Sequence, residues 1–425
     1  MGINRSNAIW PIVISLFFVG GFMLGSFNGG DASYSSAYHQ MTSSRNKINQ
    51  ILDYVEQEYV DSTDREHLVD ETIQMMLQKL DPHSYYISAS ELERMSEPLE
   101  GSFEGIGIQF SIQKDTIVVI TPISGGPSEK KGIMAGDRIV GVDTVPVAGV
   151  NISNSRVMKL LKGKGGTQVD LQIKRPGMDE LIEVEIIRDK IPIYSVDVGY
   201  MIDDNTAYIK ISRFSKTTYE EFVDISRHLL RQGMENLVLD LRNNGGGFMD
   251  GAINIADEFL PEDKLIVYTE GRARSAQKYF ATDRGSLEDV GLVVLIDEGS
   301  ASASEILAGA IQDNDRGTIM GRRSFGKGLV QEQRKWADGS ASRLTIARYY
   351  TPTGRCIQKP YGENQDEYHE DYYSRMESGE LNDSTVFEFN DSLKFTTPGG
   401  KVVYGGGASC PIVLFLLTLQ VQVCI

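Results

Sequence analysis

Two short stretches of this chain hold residues whose types and spacing could do covalent chemistry. The first is Asp297-Glu298-Gly299 followed by Ser300-Ala301-Ser302-Ala303-Ser304. The second is Ser324-Phe325-Gly326-Lys327-Gly328-Leu329-Val330-Gln331. A serine hydroxyl is a poor nucleophile until a base takes its proton. The chain has five histidines, and none lies between Ser300 and Gln331. A lysine can serve instead when desolvation lowers its pKa.

The elements that must position these groups are legible around them. Residues 292–296, Leu-Val-Val-Leu-Ile, read as a buried strand. Residues 305–311 follow at helical spacing, with Ile306, Leu307 and Ala310 on one face. A strand that delivers a serine into a helix N-terminus sets its hydroxyl beside unpaired N–H groups and a positive dipole end. The same groups hold a developing oxyanion. If residues 327–331 are extended, Lys327 and Gln331 share a face.

Ser-Ala-Ser-Ala-Ser-Glu followed by Phe-Gly-Lys-Gly-x-Val-Gln resembles the carboxy-terminal processing (tail-specific) protease family. The resemblance implies that Ser302 is the nucleophile, Lys327 the general base and Gln331 the residue that orients the lysine. Upstream, Asp240-Leu241-Arg242-Asn243-Asn244-Gly245-Gly246-Gly247 takes a buried strand into a glycine triplet, which lets backbone approach a ligand closely. It matches the family's Asp-Leu-Arg-x-Asn-x-Gly-Gly. The match implies a second oxyanion N–H, from Gly246 or Gly247, beside that of Ala303, and the sequence does not choose between the two glycines. Leu80-Asp81-Pro82-His83-Ser84-x-Tyr86 is similar to the family's segment ahead of its peptide-binding domain, where His83 takes a structural or capping role. Residues 348–358 also fit, with Cys356 where a small hydroxyl residue is commoner.

Strands at residues 207–211, 237–242 and 265–268 alternate with helices at 222–230 and 251–259. This pattern implies a sheet covered by helices, with the site at strand ends. Residues 189–407 therefore read as an α/β core, for which the resemblance implies a protease with a crotonase-like ββα spiral.

Residues 100–188 differ in character. Short strands at 106–110, 116–120, 138–140, 169–174 and 182–187 surround a helix at 154–161, an order that resembles a PDZ domain. Gly105-Ile106-Gly107-Ile108 stands where that family binds a peptide's terminal carboxylate on backbone N–H groups. The peptide would add as a strand along the domain edge.

Composition sets the outer limits. The chain has 425 residues and a net charge of −17, and it has no basic stretch to neutralise phosphates, which argues against nucleic acid. Three cysteines, Cys356, Cys410 and Cys424, make neither a disulfide framework nor a metal site. Arg5 precedes an uncharged apolar run over residues 8–27, long enough for a bilayer core that needs about 20 residues. The positive-inside rule keeps Arg5 cytoplasmic and sends the rest outward. Residues 1–30 are thus expected to be a signal anchor that stays uncleaved, and 31–99 a helical region with periodic helices from about 43 and over 66–80. Residues 364–392, dense in Asp, Glu and Tyr, read as a solvated loop.

Residues 408–425 carry no charge in a chain that is 24% charged. The apolar run is too short for a span, and a terminal strand would leave residues 414–417 needing cover on both faces. Relatives continue Gly-Gly-Ile-Met-Pro-Asp here. Codons such as GGC ATC ATG CCC GAT, read one base later, give Ala-Ser-Cys-Pro and then Ile or Met, matching Ala408-Ser409-Cys410-Pro411-Ile412. An aberrant tail from a shifted reading frame is expected.

The function these readings imply is a serine endopeptidase anchored in the inner membrane, its catalytic part in the periplasm or cell envelope. It would need no cofactor or metal and would cut proteins delivered by apolar C-terminal tails. The sequence leaves oligomerisation open. The rivals are a non-catalytic PDZ scaffold, against which the presence of Ser302, Lys327 and Gln331 argues, and an acyl-CoA enzyme, against which the PDZ insertion and outward topology argue.

Overall fold

The computed structural model describes residues 47–362, 367–368, 370–381, 390–406 and 413–414. The expected anchor over 8–27, Cys410, Cys424 and all of the 408–425 tail except Val413–Leu414 lie outside the described residues. Among the described residues no helix is long and apolar enough to cross a membrane. The chain divides into two compact units after Met75. The first contains a helix over 47–58 and most of the helix Arg65–Gln78, tied together by Arg65 on Asp53 and Glu56.

In the second unit the protease core is built on a sheet whose strands run, in spatial order, Val196–Met201, Thr206–Ile211, Asn236–Asp240, Gly291–Ile296, Thr318–Gly321 and Val413–Leu414. The first pair is antiparallel and the others are parallel. Leu237 and Leu239 of Asn236–Asp240, and Leu292, Val294 and Ile296 of Gly291–Ile296, are buried on one face, as expected for strands with helices against them. Helices Thr218–Arg231, Met249–Asp257 and Ala303–Asp313 supply Phe222, Ile255 and Leu307 to a core that also holds Phe214, Phe259, Leu239 and Val294.

A second, antiparallel sheet comprises Tyr85–Ile87, Ala341–Tyr350, Leu265–Gly271 and Arg274–Phe280, with Leu329–Lys335 on the other edge of Ala341–Tyr350. The strand expected at 265–268 belongs to this sheet and not to the helix-covered one, because it pairs with its neighbour Arg274–Phe280 and the distant Ala341–Tyr350; the sheet as a whole was not anticipated.

Residues 105–187 carry the expected small domain. The sheet Ile108–Ile112, Ile117–Pro122, Arg138–Val142, Gln168–Lys174, Ile182–Ile187 closes over Val157 and Leu161 of the helix Asn154–Leu161. The helix bounds fall where the sequence places them, and Ser153 caps it by accepting from Arg156 N–H. Ile108–Ile112 is an edge strand of this sheet.

The described part of 364–392 corrects the solvated-loop reading. Asp371–Glu377 is a helix, and Arg375 is buried, donating to the carbonyls of Ser324 and Arg323 and to Glu380. Asp371 and Glu380 face a buried arginine, while Glu370 and Glu377 stay exposed.

Candidate active site

Both strands that were expected to lead into the candidate site residues do so at their C-terminal ends. Asn236–Asp240 leads into residues 241–248, and Gly291–Ile296 leads into 297–302. Asp297 Oδ1 ties the two loops by accepting from Asn243 N–H and Gly299 N–H. Asn244, fully buried, is the second tie. Its Nδ2 donates to Ile211 O, its Oδ1 accepts from Gly246 N–H, and its carbonyl accepts from Ala301 N–H and Ser304 Oγ.

Ser302 lies at the N-terminus of Ala303–Asp313 with φ 57° and ψ −112°. A side chain in that region of backbone space is strained, by about 1–3 kcal/mol, and such strain survives only where neighbours impose it. The imposing group is Glu305, whose side chain is 1% exposed. Its Oε2 accepts from the N–H groups of Ser302 (2.8 Å) and Lys327 (2.9 Å), and its Oε1 from Gly326 N–H (2.7 Å) and Ser324 Oγ (2.5 Å). Tyr349, also buried, donates its hydroxyl to the carbonyls of the same two residues, Lys327 at 2.5 Å and Ser302 at 3.1 Å. One carboxylate and one phenol thus hold both peptide groups. Burial raises the pKa of Glu305 against the pull of its donors, and it raises that of Tyr349 well above the ordinary phenol value.

Lys327 precedes the strand Leu329–Lys335 instead of lying within it. Its Nζ nonetheless donates to Gln331 Oε1 at 2.8 Å, and Gln331 Nε2 donates at 2.5 Å to the carbonyl of His83. That carbonyl belongs to a loop fixed by Asp81, which accepts from His83 N–H, Ser84 N–H and Ser84 Oγ. The His83 ring bonds to Tyr368 Oη at 2.7 Å. The residue sits beside the site, as expected, in a supporting position.

Ser302 and Lys327 line one cavity of about 670 Å³, together with Gly246, Gly247, Gln331 and Arg343. Desolvation first, and then the charge of Arg343, push the Lys327 amine down to about 8; Glu305 and Asp81 pull the other way. A lysine in that range is partly neutral near neutral pH, as a base must be.

Of the two glycines, Gly246 has its N–H on Asn244 Oδ1 and packs so closely that an added Cβ would meet Ala303 N at 2.9 Å. Gly247 is exposed beside it, and its N–H is drawn into none of these bonds. Ala303 is the first residue of its helix, so its N–H has no intrahelical acceptor.

The helix Ala89–Glu100 contributes Ser96, Leu99 and Glu100 to the cavity wall. Leu99 O accepts from Lys216 N–H, and Glu97 forms an ion pair with Lys162 of the small domain. In that domain Gly105, Ile106, Gly107 and Ile108 form the turn into the edge strand. Gly107 has φ +74°, and the carbonyls of Ile106 and Gly107 accept from Ser128 and Ile123 N–H.

The sequence reading missed Asn244, Tyr349 and Arg343 as members of the site and read Glu305 only as part of a motif. A glutamate at the third helical position after a serine is a capping signal and could have marked Glu305. The other three come into place only through long-range packing.

Three family models match the chain: peptidase family S41 over residues 205–367, PDZ domain over 105–186, and activating protease CtpB N-terminal domain over 26–91. The carboxy-terminal-processing protease of Bartonella bacilliformis is 37% identical over 317 residues, which cover 73% of this chain and 72% of that protein. The carboxy-terminal processing proteases CtpA and CtpB of Bacillus subtilis are 36% and 35% identical. Those matches cover 74% of this chain but 66% and 65% of the relatives. The photosystem II D1 C-terminal processing protease, a solved structure, is 30% identical with a TM-score of 0.41, covering 73% of this chain and 89% of its own. The chain belongs to the carboxy-terminal processing protease family, the serine-type peptidases of family S41, and carries its PDZ domain.

Proposed function

We propose that this protein is an endopeptidase working through a Ser302–Lys327 dyad on envelope proteins whose apolar C-terminal tails are captured by the PDZ domain. Neutral Lys327 takes the proton of Ser302 Oγ as the oxygen attacks the scissile carbonyl. The resulting oxyanion is held by the N–H groups of Ala303 and Gly247, chosen over Gly246 because the latter's N–H already serves Asn244. The ammonium then protonates the leaving amine, and an acyl-enzyme on Ser302 remains. Lys327 next removes a proton from water, which attacks the ester, and returns a proton to Ser302 Oγ. Gln331 keeps the amine pointed along this path. The turn Gly105-Ile106-Gly107-Ile108 receives the tail's terminal carboxylate, and the tail adds to the edge strand Ile108–Ile112. The uncharged run over residues 8–27, with Arg5 ahead of it, supports an enzyme anchored in the inner membrane and facing outward.

The observation that carries the reading is the Lys327 amine, held by Gln331 in the cavity that Ser302 opens into and pushed down to about 8. Cleavage of a protein bearing an apolar tail is the test. Ser302→Ala and Lys327→Ala should each lower turnover by about 10³-fold or more, with the double variant barely worse than either, since members of one catalytic unit are not additive. Near-normal cleavage by Lys327→Ala would overturn the assignment of the base.

A further inference from the structure

The hairpin that carries Gln331 presents a second polar group to the cavity. In the pairing of Leu329–Lys335 with Ala341–Tyr350, Gln331 stands opposite Thr345 and Gln333 opposite Arg343, which puts all four on one face. Gln331 and Thr345 run to the loop that holds Asp81 and His83, Thr345 Oγ1 donating to Asp81 at 3.1 Å. Arg343 is held differently. One of its terminal nitrogens donates to Tyr85 Oη at 2.6 Å and the other to Gln333 Oε1 at 2.8 Å, with the guanidinium 5.3 Å from the centre of the Tyr85 ring.

All of these partners are neutral, and among the described residues no carboxylate lies within ion-pair reach of Arg343. Among the described residues, then, a half-buried arginine with neutral partners lines the cavity of Ser302 and Lys327. An arginine stays charged at any pH a protease meets. At a half-buried position its charge acts over a longer range than in water.

We propose that Arg343 is a positioning residue for the reaction, a fixed cation clamped by Tyr85 and Gln333 that favours the neutral form of the Lys327 amine, the form that serves as the base. The inference rests on the dyad reading above. The groups that face Lys327 are few. Burial lowers its affinity for a proton most, and Arg343 comes next, while Glu305 and Asp81 oppose them. Both acids are already bound by donors, Glu305 by four and Asp81 by His83, Ser84 and Thr345. Farther along the cavity, Glu100 pairs with Lys216, and Asp250 lies at the rim. Without Arg343 the two carboxylates would hold the lysine protonated to higher pH, and the serine would lose its base near neutrality.

The experiment is the pH profile of kcat/KM on a fluorogenic peptide with an apolar tail, for the wild type, Arg343→Gln, Arg343→Met and Arg343→Lys, with Lys327→Ala as control. The neutral variants should move the rising limb to higher pH by about half a unit or more, with activity regained on the alkaline side. Arg343→Lys, which keeps the charge, should hold the limb where the wild type has it. The proposal is overturned if the neutral variants lose activity evenly at every pH, or change only KM. It is also overturned if Arg343→Lys shifts the limb, a result that decides the matter even should the neutral variants fail to fold. Activity persisting in Lys327→Ala would instead sink the dyad reading itself. An inactive Lys327→Ala beside an unmoved limb in Arg343→Gln would sink this inference alone.

Discussion

Lys327, the proposed base, illustrates how such a group is held at the expense of stability. Its amine is ordinary at 10.5 in the unfolded chain and lowered to about 8 in the folded one. Between those values the unfolded chain keeps a proton that the folded protein has released, so stability rises with pH across that window. Below about pH 8 the folded state carries a desolvated ammonium at a penalty. Lys327→Met should therefore abolish cleavage yet stabilise the protein at pH 7 by about 1–2 kcal/mol, after allowing for the unpaired Gln331 carbonyl. The gain should shrink as pH approaches 10.5; denaturant titrations at the two pH values measure it. Ser302 makes a parallel case through its backbone. Ser302→Ala retains the strained φ of 57°, whereas Ser302→Gly relieves it and should be more stable than the alanine variant by about 1 kcal/mol or more. Equal melting temperatures for the two would show that the strain is not stored there.

At the scale of elements, the site is a junction of two sheets. The helix Ala303–Asp313 and the loop before Leu329–Lys335 meet through Glu305, and the antiparallel sheet reaches the same point through Tyr349. Each Glu305 oxygen accepts from two donors, so Glu305→Gln turns an amide toward N–H or O–H groups and leaves them unsatisfied. A loss of about 2–4 kcal/mol and of most activity is expected. Tyr349→Phe removes only the donor to the two carbonyls and should lower kcat with a smaller effect on stability, about 1 kcal/mol. At the far end of the same helix, fully buried Arg355 pairs with Asp313 and also bonds to Gln312 and Tyr404 O. Arg355→Met leaves that carboxylate buried without its cation, with Thr353 N–H and Oγ still donating to it. Thermal unfolding should register a cost of about 3–5 kcal/mol.

At the scale of the whole molecule, the proposed substrate capture and the proposed chemistry lie on different sheets. The PDZ edge strand Ile108–Ile112 begins at Gly107, whose φ of +74° and closeness to Ile191 leave little place for a side chain. Gly107→Val should strain the turn by about 1–2 kcal/mol. It should slow cleavage of a tailed protein while sparing a short peptide that reaches the cavity unaided. Amidating the substrate's C-terminus should act in the same direction by removing the charge the turn would bind. Equal cleavage of amidated and free-acid substrates would refute capture through this turn.

What the sequence by itself determined is local. A strand run of β-branched residues, a serine among small residues and a helical period fix the Ser302 turn, because each is decided by neighbours within a few positions. Likewise the PDZ helix Asn154–Leu161 carries its own cap in Ser153. The Lys327–Gln331 contact is short-range too, although Lys327 precedes the strand. Tertiary structure alone decided the rest. Residues 81–87 cross to Thr345 and Gln331, Tyr349 reaches Ser302, and Arg343 enters the cavity opposite Gln333. No periodicity encodes such meetings, since antiparallel register between distant strands follows from which faces the core buries. The choice between Gly246 and Gly247 belongs here as well. It turns on a side-chain amide, Asn244 Oδ1, whose direction is set by burial against Ile211, a strand away in the sheet.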